Sequence, residues 1–281
     1  MNAAAQARTH LDLLDRQARR FTTQATPQGQ VVWRSWGEGP PLLMLHGGAG
    51  SWMHWVRNIE ALSRVRTLWV PDLPGFGDSD LPREGLDADS LAPIVLDGAD
   101  ELLKGQAFDL LGFSFGSLVS GFMAQAAPEK VKRLFMTAAT GLGIVVGPGR
   151  ELRSLRGVTD EQEREDVLRN NLAAMMIHDP AHIDAMAVAV QDRSAQRDRV
   201  RHRKIARSDA MLRIAPDWRG PVFGIWGRDD GIRLRDPAAF DALVERLGLR
   251  EKHVLPDAGH WVQFEAAEAF NALVARLLAA G

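Results

Sequence analysis

Seven short apolar runs recur along this chain, with helical segments between them. They lie at 31–36, 42–45, 67–70, 108–111, 133–138, 222–226 and 252–255, and read as short runs bounded by Gly or Pro. Runs of this length between turn signals are strand candidates hidden on both faces. Helical patterns fall at 51–63, 90–104, 115–126, 236–247 and 263–280. Strand–helix alternation implies an α/β fold with a mostly parallel central sheet flanked by helices, because parallel neighbours need crossover connections. In such sheets ligands gather at the carboxyl ends of the strands. The alternation breaks between Gly141 and Gly220, where several helices and a break at Asp179-Pro180 are expected but no good strand. The expected organisation is therefore an N-terminal helical arm over 1–30, a core of 31–141 and 220–281, and an inserted helical lid over 142–219. Leu11, Leu14 and Phe21 are the packing residues of the arm. No stretch is poor enough in apolar residues to mark a true domain boundary.

Gly112-Phe113-Ser114-Phe115-Gly116 follows one apolar run directly and precedes a helical one. A strand, a tight turn and a helix in that order make a nucleophile elbow, which projects a serine Oγ beside a helix N-terminus. A serine hydroxyl needs a general base within hydrogen-bond reach and a third group to orient that base. Among eight histidines, His260 stands in a loop after the 252–255 run. Asp229 and Asp230 follow the 222–226 run and Gly227. The order serine, acid, histidine then matches an elbow enzyme. An oxyanion hole is expected from two backbone N–H groups: that of Phe115, after the nucleophile, and that of Gly48 in His46-Gly47-Gly48-Ala49-Gly50.

These residues resemble the α/β-hydrolase superfamily from about Val31 to the C-terminus. The likeness rests on His46-Gly-Gly, Asp72-Leu-Pro-Gly-Phe-Gly-Asp-Ser79, the serine elbow, and Trp226-Gly-Arg-Asp-Asp with Gly259-His-Trp. It implies Ser114, Asp230 and His260 as catalytic residues, since the family's acid stands three residues after the glycine of Trp-Gly. It also implies a helical lid. Within the superfamily, Gly259-His-Trp-Val-Gln-Phe-Glu265, Arg57-Asn58 and Gln191-Asp-Arg-Ser resemble the meta-cleavage-product hydrolases, which cut carbon–carbon bonds in vinylogous 1,5-diketones. Arg193 would then take the place of the lid arginine. The chain differs from that subgroup in a shorter oxyanion loop and in Phe113, where asparagine is usual.

A carboxylic ester is the first substrate reading, with a meta-cleavage-type C–C bond as the alternative. A non-catalytic binding protein on the same fold is the third, and it could dispense with the triad. Epoxide hydrolase and dehalogenase relatives carry aspartate at the elbow, and this chain has no tyrosine for an epoxide-hydrolase lid acid. Arg193, Phe113, Trp261 and His54 are candidate substrate-binding residues. The basic lid stretch Arg193, Arg197, Arg199, Arg201, Arg203, Lys204 and Arg207 reads either as a solvated face or as the source of one arginine for an anionic substrate group. Asp72 and Asp78 read as turn-fixing residues, and His46 as loop support. His178 and His182 have zinc-like spacing but no third ligand, so neither a metal nor a cofactor is expected. With 46% hydrophobic residues, net charge −2 and no cysteine, a sizeable core in a reducing cytoplasmic setting is expected, with no bias toward nucleic acid. A small molecule is the expected partner, with no membrane; the oligomeric state stays open.

Overall fold

The computed structural model describes residues 2–26, 29–83, 87–144, 151–200, 203–231 and 236–280. Eight strands form one sheet in the order β1-β2-β4-β3-β5-β6-β7-β8. They are β1 (Arg19–Thr26), β2 (Gly29–Trp36), β3 (Pro41–Leu45), β4 (Thr67–Pro71), β5 (Phe108–Phe113), β6 (Val131–Thr137), β7 (Val222–Gly227) and β8 (Glu251–Leu255). From β4 to β8 all neighbours are parallel, whereas β1–β2 and β2–β4 pair antiparallel. After β3 the chain builds β4 on one side of it, then crosses over to build β5 on the other. That reversal opens a crevice at the carboxyl ends of β3 and β5, the place where open sheets of this kind bind ligands.

All seven apolar runs overlap strands. The extra strand is β1, whose residues were expected inside a helical arm. The helix α1 (Ala3–Gln17) ends at Gln17, and Leu11 and Leu14 are buried beneath it. β1 is an edge strand and needs only one covered face, so few apolar residues suffice. Phe21 packs on Trp69, and Thr23 Oγ1 accepts the Trp33 indole N–H at 2.8 Å. The segment 51–63 is also not one helix. It divides into a 3₁₀ turn (Trp52–Trp55) and α2 (Ile59–Leu62), with the Trp52 N–H tied to Asp72 Oδ1 at 2.8 Å.

The helices α3 (Ala88–Leu103), α4 (Phe115–Ala126), α8 (Pro237–Glu245), α9 (Val262–Glu265) and α10 (Ala267–Ala279) accompany the sheet. Between β6 and β7 lie α5 (Glu161–Met175), α6 (Ala185–Ala195) and α7 (Ala210–Ile214), joined by 3₁₀ turns. The described residues of this insertion contain no strand. α6 rests on α1, where Arg193 Nη1 meets Asp12 Oδ1 at 2.8 Å, and on the core, where Ser194 Oγ lies 3.2 Å from Ser51 Oγ. Arg197 pairs with Asp78.

Arg34 of β2 is buried and meets three carboxylates, Asp15 at 2.5 Å, Asp72 at 3.0 Å and Asp78 at 2.5 Å. Burial opposes its charge, but these partners leave its pKa raised. Asp78 is likewise desolvated, yet Arg34, Arg197 and Arg20 hold its pKa below the ordinary value. This hub fastens α1 and the turn after β4 to the sheet. No helix among the described residues is long and apolar enough to cross a membrane.

Candidate active site

Ser114 follows β5 directly and has φ 52° and ψ −114°, a left-handed conformation that side chains rarely adopt. Such a residue stores about 1–3 kcal/mol, held by its surroundings. Its N–H is anchored to Thr137 O of β6 at 2.8 Å. The two flanking glycines are required by space. A Cβ at Gly116 would strike the carbonyls of Leu45 and His46, and one at Gly112 would strike Gly116 O and Ser117 Cα. The turn can therefore be sharp, and Ser114 Oγ leaves it toward His260.

His260 Nε2 lies 2.9 Å from Ser114 Oγ, and its Nδ1 lies 2.9 Å from Asp230 Oδ2. Asp230 is buried at the end of β7, 1% exposed. A carboxylate only accepts, so the Nδ1 proton belongs to that bond and Nε2 is free to accept the Ser114 O–H. The loop bearing His260 is braced by Glu265, whose fully buried side chain accepts the Gly259 N–H at 2.7 Å. The same carboxylate accepts the His178 N–H at 3.0 Å, joining the His260 loop to the insertion. Glu265 stands five residues after His260 and closes the Gly259–Glu265 stretch that carries the family likeness, but the sequence assigned it no role.

The loop after β3 approaches Ser114 from the other side. A Cβ at Gly47 would lie 2.9 Å from the Phe113 ring, one at Gly48 would strike Arg203 Nη1, and one at Gly50 would strike the His54 ring. Among the described residues, neither the Gly48 nor the Phe115 N–H donates to a protein acceptor. The Gly47 N–H does, to His54 Nδ1 at 3.2 Å. His46 Nδ1–H donates to Gly47 O at 2.8 Å while its Nε2 accepts the Leu73 N–H at 2.9 Å. Burial lowers the pKa of both rings, that of His54 well below its ordinary value. Both are neutral imidazoles.

The structure separates the four candidate substrate-binding residues. Phe113, Trp261 and His54 form a buried aromatic layer beneath the site, with the Phe113 ring 5.3 Å from that of His260. The Trp261 indole N–H donates to His54 O at 3.1 Å. Arg193 is not brought to Ser114. It projects from the face of α6 that meets α1, and Asp12 takes its charge. The arginine of the insertion that does reach the site is Arg203, against Gly48, with its guanidinium 5.4 Å from the Phe76 ring centroid. Its Nη2 is held by Asp198 and Val200 O, and no bond to a protein acceptor occupies Nη1 among the described residues. Arg201 lies outside the described residues. Asp72 accepts from Trp52 N–H and Asp78 N–H, and so fixes its turn. His182 faces Glu265 at 3.4 Å, and His178 lies 4.0 Å from Asp229. No group of three or more metal-ligating side chains occurs among the described residues.

Residues 42–273 match the sequence model of the alpha/beta hydrolase family. The chain is 30% identical to a 2-hydroxy-6-oxo-2,4-heptadienoate hydrolase of Pseudomonas putida, over 87% of this chain and 91% of that protein. It is 31% identical to the dihydrolipoyllysine-residue acetyltransferase component of an acetoin cleaving system of Pseudomonas putida. That match covers 83% of this chain and only 62% of the relative. Among solved structures, an esterase from a Rhodococcus species, RhEst1, superposes with a TM-score of 0.76 at 23% identity, covering 94% of this chain and 99% of that one. The meta-cleavage product hydrolase CumD superposes with a TM-score of 0.73 at 22% identity, covering 93% and 98%.

Proposed function

The chain belongs to the alpha/beta hydrolase family, and from that premise we propose that it is a serine hydrolase using Ser114, His260 and Asp230 on a carbonyl-bearing small molecule. The observation that carries this reading is the unbroken line from Ser114 Oγ through His260 to Asp230, with both links at 2.9 Å. His260 removes the Ser114 proton as Oγ adds to the substrate carbonyl carbon. The Gly48 and Phe115 N–H groups receive the developing oxyanion. Asp230 orients the imidazole and balances its transient charge. His260 then returns the proton to the leaving group as the tetrahedral intermediate collapses to an acyl-enzyme. Water repeats the sequence and frees the acid. The insertion of 142–219 acts as the lid that shapes the pocket and limits water.

The relatives move the substrate reading from an ester to a C–C bond next to a ketone, as in the 2-hydroxy-6-oxo-dienoate hydrolases. In that case the leaving carbon is protonated by ketonisation before the bond breaks. Arg203 supports this reading as well, because a guanidinium beside Gly48 suits a substrate bearing a carboxylate. Arg203 thus replaces Arg193 as the anion partner. Phe113 and the short oxyanion loop keep ester hydrolysis as the second reading.

The test is a panel pairing p-nitrophenyl esters with a coloured vinylogous diketone acid, run on the wild type and Ser114→Ala. The wild type should turn over the diketone acid in preference to the esters, and Ser114→Ala should lose at least about 10³-fold on every substrate the wild type accepts. Turnover of Ser114→Ala within about tenfold of wild type would remove the serine mechanism.

A further inference from the structure

Gly47 is held at both of its polar backbone atoms by histidines of opposite tautomer. His46 carries its proton on Nδ1, because Nε2 accepts the Leu73 N–H while Nδ1–H donates to Gly47 O. His54 carries its proton on Nε2, because Nδ1 accepts the Gly47 N–H. As an imidazolium, neither ring could keep its acceptor bond. The His54 ring is fixed from several sides. Its 3₁₀ turn is pinned through the Trp52 N–H to Asp72, its own carbonyl accepts the Trp261 indole N–H, and Gly50 leaves it space by lacking a Cβ. It is 1% exposed, and its Nε2 has no acceptor among the described residues, so the ring is spent on Gly47.

Resting on the serine-hydrolase reading, we propose that His54 is a positioning residue of the oxyanion hole. As a neutral Nε2–H imidazole it removes the Gly47 N–H from the donor set and leaves the Gly48 N–H to face the reacting oxygen. Without that acceptor the Gly47 N–H is a buried donor with nothing to bind, and the loop turns to satisfy it. A donor displaced by about 1 Å in a reacting site can cost on the order of 10²-fold in rate. His54 touches no reacting atom in this scheme; it acts through Gly47.

Two measurements test this without knowledge of the natural substrate. Two-bond nitrogen–proton NMR of the wild type should place the His54 proton on Nε2 and find no titration between about pH 5 and 8. An Nδ1–H tautomer, or protonation near the ordinary value, would overturn the proposal. The second measurement is the rate at which a fluorophosphonate labels Ser114. Oγ attacks phosphorus, the P–F bond breaks, fluoride leaves and His260 takes the Oγ proton, so the oxyanion forms in the same hole. His54→Phe, which fills the space without an acceptor, should slow labelling about 10–100-fold. His54→Asn, whose Oδ1 reaches close to the place of Nδ1, should return the rate to within about tenfold of wild type. His54→Phe labelled at the wild-type rate, or His54→Asn as slow as His54→Phe, sinks the positioning role. Failure of the wild type itself to label at Ser114 would instead sink the serine mechanism beneath it. If His54→Phe does not fold, the His54 tautomer still decides.

Discussion

Asp230 Oδ2 stands 2.9 Å from His260 Nδ1, while the adjacent Asp229 faces His178 at 4.0 Å and donates its N–H to Ala258 O. One backbone step thus separates an acid buried against the base from one that belongs to the turn. Asp230→Asn should lower kcat by about 10⁴, because the amide favours the wrong tautomer of His260. Asp229→Asn should stay within about tenfold of wild type. Steady-state rates on one activated ester check both, and reversed effects would show that Asp229 is the orienting acid.

Arg203 and Arg193 offer a contrast in charge selectivity. Arg203→Ala should reduce kcat/KM on anionic substrates about 10–100-fold, the equivalent of ~1.5–3 kcal/mol for a charge-assisted hydrogen bond. Neutral short esters should respond within about threefold. Arg193→Ala should leave the anionic-to-neutral ratio alone and cost at most about 1 kcal/mol of stability, as an exposed ion pair does. Equal losses on both substrate types with Arg203→Ala would deny it an anion-binding role.

Acid should destabilise the protein in two stages. His46 and His54 are neutral when folded, their pKa values lowered first by burial. Asp72, Asp198 and Arg203 also act on His46, and His46 and His260 on His54. Below their ordinary value of 6.5 the unfolded chain takes up protons that the folded chain refuses. Their contribution is complete above that value and falls as pH drops toward the folded values, by up to about 1.4 kcal/mol per pH unit for each ring. Asp78 adds a second stage below its ordinary 3.8, where the unfolded carboxylate protonates first and the pairing with Arg34 is lost toward the lowered folded value. Urea midpoints at a series of pH values check this; a flat profile from about pH 7 to 5 would contradict the neutral pair.

Arg34→Leu removes the only cation within the Asp72 carboxylate's salt-bridge reach among the described residues. Breaking a buried pair from one side costs about 3–5 kcal/mol. Thermal unfolding of Arg34→Leu beside Arg64→Leu, an exposed i,i+4 pair with Glu60, should separate a large loss from a negligible one.

The meeting of Ser114, His260 and Asp230 was legible because each sits within a few residues of a strand end, where local pattern and turn chemistry fix the backbone. β1 was hidden because an edge strand such as Arg19–Thr26 needs little hydrophobicity. Arg34 was hidden differently. It lies inside an apolar run, and its acids come from two separate segments, α1 and the turn after β4, so only the folded chain brings them together. Arg193 failed for the same reason in reverse. Motif likeness placed it at the site, but the rotation of α6 that seats Ala187 and Val190 inward turns Arg193 toward α1. Arg203 lies in an irregular stretch with no periodicity to read.

The seam between α1 and α6 joins the start of the fold to its insertion through an exposed ion pair. To swing α6 away from Ser51, the protein must also part Arg193 from Asp12 and Arg197 from Asp78, contacts that water and dissolved ions compete for readily. At a physiological ionic strength, charges are screened beyond about 8 Å, so these exposed pairs weaken as salt rises while the buried Arg34–Asp72 pair beneath them is screened much less. Raising the ionic strength then loosens the seam ahead of the frame, and the first helix stays with the frame through Asp15 and Arg34.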